Sequence, residues 1–247
     1  MKRSPASSPL VELVDATKTF GVNEHKTVAV HDVSLQAFPG ELIMLLGPSG
    51  SGKTTLLTLI AGLLKPTSGI VSLFGKQIDC YSRQELQQMR VLRVGFVFQT
   101  FLLLDALNVV ENVALVLRFA GKSRHEAHRR AEDLLRLLHI EHLAVKFPQT
   151  LSQGEKQRVA VARAIANSAD LILADEPTAS LETKQGFEII QLLHAYAAEE
   201  NKCVIVASHD LRIVEFADRV LRLEDGVVVK SERKKDSGVE EASSRTI

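Results

Sequence analysis

The chain has 247 residues, 45% of them hydrophobic, and its 30 basic residues balance its 30 acidic residues. This size and hydrophobic content predict one large domain with a full core. Zero net charge argues against a broad basic surface, so we expect no nucleic-acid partner. The longest apolar runs, such as Leu56–Leu64, fall well short of the roughly 20 residues of a membrane-spanning helix. The first residues also lack the apolar segment of a signal peptide, so we expect a cytosolic chain that reaches a membrane only through a partner.

Both ends of the chain differ in composition from its centre. Residues 1–9 are rich in Ser and Pro, and residues 231–247 are charged and Ser-rich with little apolar content. Such segments bury too little apolar surface to order themselves, so we predict two flexible tails. Residues 10–230 contain no linker or internal repeat and are predicted to form a single domain.

Two kinds of apolar pattern follow each other along this domain. Apolar and polar residues first alternate between Val28 and Leu35, which predicts a half-exposed antiparallel sheet. Later runs are short and uninterrupted, as in parallel strands covered by helices on both faces. These runs are Leu42–Leu46, Phe96–Phe98, Leu171–Ala174 and Cys203–Ala207, and apolar stripes at helical spacing lie between several of them. The patterns predict an α/β fold with a mostly parallel sheet and an antiparallel β-subdomain.

The segment Gly47-Pro48-Ser49-Gly50-Ser51-Gly52-Lys53-Thr54 matches the phosphate-loop pattern G-x-x-x-x-G-K-[ST]. It follows a predicted strand and precedes a predicted helix, Thr55–Leu64, which is the setting that this pattern requires. Glycines let successive N–H groups point at phosphate oxygens, and the helix N-terminus adds partial positive charge. Lys53 would reach the β- and γ-phosphates, and the Thr54 hydroxyl would ligate Mg²⁺. The loop therefore predicts binding of a nucleoside triphosphate.

A pair of carboxylates, Asp175 and Glu176, follows the apolar run Leu171–Ala174. Ligands bind at the carboxyl ends of parallel strands, so Asp175 is expected to hold Mg²⁺ opposite Thr54. Glu176 would accept a proton from the attacking water or orient it. Taken alone, the pair could equally be an acidic turn that closes a strand. Together with the phosphate loop, the catalytic interpretation is favoured.

Five further segments occur in an order that resembles the ABC (ATP-binding cassette) family of P-loop NTPases. The chain carries a signature-like segment (Leu151–Glu155, followed by Lys156–Ala164), a Q-loop (Phe96–Gln99), a switch histidine (Ser208–Asp210), a D-loop (Ala179–Glu182) and an adenine-stacking aromatic (Phe20). With the phosphate loop and the carboxylate pair, the resemblance covers about residues 10–230. It implies an ABC ATPase core with an inserted helical subdomain at about residues 100–150.

The resemblance also implies site residues. The expected cofactor-binding residues for ATP are Phe20, Gly47, Pro48, Ser49, Gly50, Ser51, Gly52, Lys53, Thr54, Thr55, Ser152 and Gly154. The expected catalytic residues are Glu176 as base, His209 as γ-phosphate contact, Lys53 and Gln99, and the expected Mg²⁺ ligands are Thr54, Gln99 and Asp175. Two positions depart from the usual signature: Gln153 replaces glycine and Glu155 replaces glutamine. In the D-loop, Glu182 replaces aspartate, which puts communication between two sites in doubt.

In ABC proteins the signature of one subunit completes the ATP site of the other, which implies a homodimer around two ATP molecules. The resemblance further implies integral membrane permease subunits, with the chain peripheral on the cytoplasmic side of the inner membrane. We expect the permease to dock near residues 100–145, where the apolar segment Phe101–Leu104 follows Gln99. Most of these leucines are expected to pack into the core instead.

The carboxylate strand Leu171–Ala179, the run Leu102–Val113 and the short chain resemble the lipoprotein-releasing, macrolide-efflux and glycolipid-exporting branch, typified by LolD, MacB and DevA. The expected function is therefore an exporter or mechanical transmitter, which could include a periplasmic adaptor. Two alternatives stay open. One is an ABC importer subunit, because an ATP site does not encode the direction of transport. The other is a soluble, non-transport ABC ATPase.

Overall fold

The computed structural model describes residues 8–21 and 26–234. In this part of the chain the strands are β1 (Val11–Phe20), β2 (Thr27–Ala37), β3 (Glu41–Leu46), β4 (Ser68–Leu73), β5 (Lys76–Gln77), β6 (Val94–Val97), β7 (Leu171–Asp175), β8 (Cys203–Ser208), β9 (Arg219–Glu224) and β10 (Val227–Arg233). The α-helices are α1 (Lys53–Ile60), α2 (Arg83–Arg93), α3 (Val109–Phe119), α4 (Arg124–Leu137), α5 (Gln153–Ile165) and α6 (Thr183–Glu199). Short 3-10 helices lie at Ile78–Cys80, Glu141–Leu143, Pro148–Thr150 and Leu211–Phe216. Within these described residues, no helix has both the length and the apolar content to cross a membrane.

The strands form two sheets. The larger has the order β10-β9-β3-β8-β7-β6, and all its neighbours pair in parallel except β9 and β10. The smaller is antiparallel, with the order β2-β1-β4-β5. The α/β fold with a mostly parallel sheet and an antiparallel β-subdomain is confirmed.

Side chains of β3 point alternately into two separate cores. Leu42 and Met44 join the core that α3, α4, α5 and α6 cover. Ile43 and Leu45 join the core that α1 and the antiparallel sheet cover. Because both faces of the central sheet are buried, its strands read as unbroken apolar runs in the sequence.

Four helices, α2 to α5, begin with the same local device. In each, a Ser or Asn before the helix accepts a hydrogen bond from the third helical N–H, and the glutamate at that third position bonds back. This capping box satisfies two backbone donors that the helix cannot satisfy itself. It fixes where α5 begins, directly after Ser152.

Some predicted boundaries differ from the structure. Helix α1 begins at Lys53, not Thr55, and ends at Ile60, where the chain turns through the left-handed Gly62 (φ 62°). Strand β10 continues to Arg233, three residues beyond the boundary predicted at residue 230, because it pairs with β9. Residues 100–150 contain α3, α4 and two 3-10 helices, and this fully described stretch has no strand. Most of the predicted tails, residues 1–7 and 235–247, lies outside the described residues.

Candidate active site

The phosphate loop connects β3 to α1 and is held by close backbone contacts on two sides. A side chain at Gly52 (φ 99°) would place its Cβ 2.2 Å from the Ala29 carbonyl oxygen. One at Gly47 would come within 2.3 Å of the Leu223 carbonyl oxygen. Both positions therefore require glycine, and the loop backbone is free to curve around a ligand.

Lys53 lies folded across this loop and is almost fully buried. Its ammonium donates hydrogen bonds to the carbonyl oxygens of Gly47 (2.7 Å) and Pro48 (2.9 Å). It also lies 3.6 Å from a carboxylate oxygen of Glu176. A buried ammonium needs such compensation, and phosphate oxygens of a bound nucleotide could supply it in the same place.

Thr54 and Asp175 meet beneath the loop. The Thr54 hydroxyl donates to Oδ2 of Asp175 at 2.8 Å, while Oδ1 is buried and has no hydrogen-bond partner among the described residues. Burial raises the pKa of Asp175, and the charge of Glu176 raises it further, against the hydrogen bond from Thr54 and the charge of Lys53. A hydroxyl beside a buried, unsatisfied carboxylate oxygen is a donor set that suits Mg²⁺.

Glu176 and His209 come together at the ends of two neighbouring strands. The Glu176 N–H donates to the carbonyl oxygen of Ala207, which places the carboxylate beside β8. Nδ1 of His209 then lies 3.0 Å from Oε2 of Glu176. Glu176 adopts a left-handed backbone conformation (φ 48°), which is uncommon for a residue with a side chain and is concentrated at functional sites. The pair can bind and pass on a proton.

A cavity of about 270 Å³ opens over these groups. It is lined by Ala29, Ser49, Gly50, Gly52, Lys53, Thr54, Thr55, Gln99 and Glu176. Gln99 follows β6, so three neighbouring strands, β6, β7 and β8, each deliver a predicted residue to this edge of the sheet. The structure thus brings together most of the residues predicted for the phosphate and metal chemistry.

The other predicted residues do not line this cavity. Phe20 ends β1 and is 42% exposed, with the Lys18 ammonium 5.4 Å from the centre of its ring. Ser152 and Gly154 line a different cavity, of about 510 Å³, whose other walls include His139 and His142. Within one chain, the signature-like segment and the phosphate loop therefore belong to different surfaces.

The signature-like segment is the first turn of α5. The Ser152 hydroxyl accepts from the Glu155 N–H at 3.3 Å, and Oε2 of Glu155 accepts from the Ser152 N–H at 2.7 Å. Gly154 packs against Gln185, whose side-chain oxygen would lie 2.7 Å from an added Cβ. Ser152 is exposed, so its hydroxyl can meet a ligand from outside.

Some residues that line the cavity or hold the phosphate loop in place were not predicted from the sequence. Ala29 of β2 lines the cavity, and the Gly226 N–H of the β9–β10 turn donates to the carbonyl oxygen of Ser51 in the loop. Such backbone contacts leave no side-chain pattern in a sequence. The role of Arg163 is also not predicted by the sequence; its guanidinium donates hydrogen bonds to the carbonyl oxygens of Phe101 and Leu102, both at 2.6 Å.

Comparisons with known proteins agree with this geometry. A family profile described as ABC transporter matches residues 30–179. An uncharacterized ABC transporter ATP-binding protein of Thermotoga maritima is 40% identical over 225 residues, 91% of this chain and 96% of that protein. The macrolide export ATP-binding/permease protein MacB of a Shewanella species is 37% identical over 228 residues, which are 92% of this chain and 35% of MacB.

A solved structure is also similar. It is the dimeric, post-hydrolysis state of the ATP-binding cassette MJ0796 of Methanocaldococcus jannaschii, bound to ADP and phosphate. The TM-score is 0.85 at 40% identity, covering 90% of this chain and 98% of the other. The chain belongs to the ABC transporter family, as an ATP-binding and ATP-hydrolysing cassette.

Proposed function

We propose that two copies of this chain close head to tail around two ATP molecules and thereby drive a membrane permease, in an exporter or mechanical transmitter. The observation that carries this proposal is the separation of the two half-sites. Lys53, Thr54, Gln99 and Glu176, proposed for phosphate, metal and proton chemistry, line one cavity, whereas Ser152 and Gly154 line another. A second copy could supply its Ser152 to the first copy's nucleotide; the related MJ0796 cassette is dimeric in its state bound to ADP and phosphate.

In the proposed reaction, water attacks the γ-phosphorus and the bond from that phosphorus to the β–γ bridging oxygen breaks. Glu176 takes the proton of the attacking water, and His209, 3.0 Å from its carboxylate, contacts the γ-phosphate and keeps Glu176 oriented. Lys53 moves its hydrogen bonds from the loop carbonyls to the β- and γ-phosphate oxygens. Mg²⁺, when bound by Thr54, Asp175 and Gln99, offsets the negative charge of the phosphates.

Closure is favoured by ATP and not by ADP, because only a γ-phosphate can be contacted from both sides. Its negative charge would face the N-terminus of α5 in the partner copy, where the helix dipole is positive. Hydrolysis removes that shared contact. The chain would therefore cycle between a closed ATP-bound dimer and an open state.

The permease is proposed to dock on an apolar groove beside Gln99. This cavity, of about 360 Å³, lies between β6 and helices α2, α3 and α5, and its walls include Leu102 and Leu104. These two residues are 54% and 48% exposed, whereas Phe101 and Leu103 pack against the core. The expectation that the leucines pack into the core thus applies to alternate residues only. A short helix of the permease with apolar side chains would cover the exposed pair.

Arg163 supports a link between docking and ATP. Phe101 (φ 60°) and Leu102 (φ 48°) both have left-handed backbones, and the Arg163 guanidinium holds both of their carbonyl oxygens. Arg163 lies on α5, the helix that begins with the signature-like turn. A movement of α5 on ATP binding would thus act directly on the backbone of Phe101 and of the exposed Leu102.

The first experiment replaces Glu176 with Gln, adds ATP and Mg²⁺, and identifies the membrane proteins that co-purify with the trapped dimer. A permease with few membrane spans and a large outer domain would support the exporter, placed on the cytoplasmic side of the inner membrane, and a periplasmic adaptor could follow it. Association with a periplasmic binding protein would indicate an importer instead. Ribosomal or DNA-bound material without a permease would show a non-transport ATPase.

The docking surface has a matched test. Leu102→Glu or Leu104→Glu should abolish co-purification of the permease while leaving basal ATP hydrolysis within about twofold, because both side chains are exposed. Arg124→Glu, at an exposed position at the start of α4, is the control and should leave co-purification unchanged. Normal transport by both leucine variants would overturn the proposed docking site.

A further inference from the structure

The first turn of α5 carries the carboxylate of Glu155. In the proposed dimer, this N-terminal end of the helix faces the ATP of the partner copy. Oε2 of Glu155 accepts the Ser152 N–H at 2.7 Å, and this bond, the largest influence, lowers the pKa of Glu155. The carboxyl group is therefore ionised at neutral pH. A full negative charge lies on the same turn as the hydroxyl that is proposed to contact a γ-phosphate.

The charge of Glu155 is only weakly compensated. Arg158, one turn further along α5, is bonded to Glu188 instead. His142 and Lys146 lower the pKa of Glu155 through space, but no ion pair joins either of them to Glu155 within the part of the chain that the structure describes. The carboxylate is partly buried and is held by the backbone of its own helix turn.

Such a carboxylate weakens the attraction between the helix end and a phosphate. A helix N-terminus binds anions because its N–H groups and its dipole are positive. Here the Glu155 carboxylate already accepts a hydrogen bond from the first of these N–H groups, and its negative charge repels a phosphate at short range. The Ser152 hydroxyl can still donate its proton to a phosphate, since it only accepts a bond from the Glu155 N–H.

We propose that Glu155 is a positioning residue that limits closure of the ATP-bound dimer: it holds the signature turn in shape while its charge opposes capture of the partner's γ-phosphate. This inference rests on the proposed head-to-tail dimer. It explains what the departure from glutamine does at this position: the turn keeps its capping box and gains a repulsive charge. The closed state is then weaker and opens more readily after each hydrolysis.

The structure contains a matched reference for this effect. The capping box at the start of α4, between Ser123 and Glu126, has nearly the same distances, 2.8 and 3.2 Å. Its glutamate also has a lowered pKa, caused by hydrogen bonds from Ser123. Glutamine can close a capping box as glutamate does, so exchanging either glutamate for glutamine removes charge and keeps the turn. The α4 box is no part of the proposed ATP contact.

The test starts from the hydrolysis-deficient Glu176→Gln chain and adds either Glu155→Gln or Glu126→Gln. Sedimentation measures the dissociation constant of the dimer with ATP and Mg²⁺, at about 50 mM and about 500 mM salt. Glu155→Gln should tighten the dimer roughly tenfold at low salt, since each dimer has two such contacts. The gain should shrink at high salt, and Glu126→Gln should change nothing.

Four results would overturn the inference. A dimer that is equally stable with either residue at position 155 excludes the repulsion, as does equal tightening by Glu126→Gln. A gain that does not depend on salt would indicate a change of packing instead of charge. If the Glu176→Gln chain binds ATP and forms no dimer at any concentration, the proposed function itself fails, and the inference fails with it.

Discussion

The two proposed halves of the ATP site differ in how their polar groups are satisfied within one chain. At the phosphate-loop cavity, Glu176 already contacts both Lys53 and His209, and Thr54 donates a hydrogen bond to Asp175. On the signature-like turn, by contrast, the hydrogen bonds stay within the first turn of one helix. The half that contains the phosphate loop, here called the chemical half, is thus assembled by the parallel sheet, whose strand ends meet at one edge. The half that contains the signature-like turn is a surface that becomes part of a site only when a second copy of the chain binds.

The largest expected effect comes from a substitution in the chemical half alone. Glu176→Gln should lower the rate of ATP hydrolysis at least about a hundredfold, because the proposed base is lost. ATP affinity should stay within a few fold, since Lys53 keeps its place. Phosphate release and nucleotide binding would be measured on the same preparation. Hydrolysis at the parental rate would show that the base lies elsewhere.

The second change separates stability from metal binding. The raised folded pKa of Asp175 means that its protonated form stabilises the chain at acidic pH, and this stabilisation is lost as pH rises through that pKa. Asp175→Asn should therefore raise the free energy of unfolding of the nucleotide-free chain by about 1 kcal/mol near pH 7. It should also abolish the further rise in melting temperature that Mg²⁺ with ATP gives the parent. A variant that is less stable without nucleotide would contradict this interpretation.

A third change tests the contact between Arg163 of α5 and the residues Phe101 and Leu102. Arg163→Lys keeps the charge but cannot bond both carbonyl oxygens with one planar group, so it should lower the free energy of unfolding by about 1–2 kcal/mol. Arg118→Lys is the control, because Arg118 bonds a single exposed carbonyl. Urea unfolding would compare them. Equal losses would show that the double contact of Arg163 adds nothing.

The smallest effect concerns the start of α6. Glu182 precedes this helix and its side chain makes no capping bond, whereas aspartate is a strong capping residue. Glu182→Asp should raise the free energy of unfolding by about 0.5–1 kcal/mol, visible as a higher melting temperature. The same exchange at Glu132, inside α4, should lower it slightly.

Much of the chemical half could be predicted from the sequence because its residues adjoin buried strands. The runs before Gly47 and Asp175 suit parallel strands of a covered sheet, and the ends of such strands meet at one edge. What could not be predicted depends on pairs distant along the chain. The bond between Gly226 and Ser51 is one case, since backbone groups of any residue type could make it.

The sequence also does not predict which residues of the segment Phe101–Leu104 face outward. Four apolar residues, Phe101–Leu104, look alike as letters, yet two pack inward and two face outward. Phe101 and Leu102 have left-handed backbones, and Arg163, a residue distant along the chain, holds both of their carbonyl oxygens. Likewise, the last three residues of β10 are predicted to belong to a polar tail, because the strand lies at the edge of the sheet and most of its side chains are exposed.

Helix α5 has the geometry of a lever arm. Ser152 stands at one end, and Arg163 lies eleven residues further on, so the two are about 16 Å apart along the axis at 1.5 Å per residue. A tilt of about 10° at the signature end would displace the far end by roughly 3 Å over that length. Since Arg163 holds Phe101 and Leu102 by their carbonyl oxygens, the displacement would be delivered to Leu102 as a push. A rigid helix whose far end bonds two carbonyl oxygens would in this way convert the capture of one phosphate into mechanical work on the proposed docking segment.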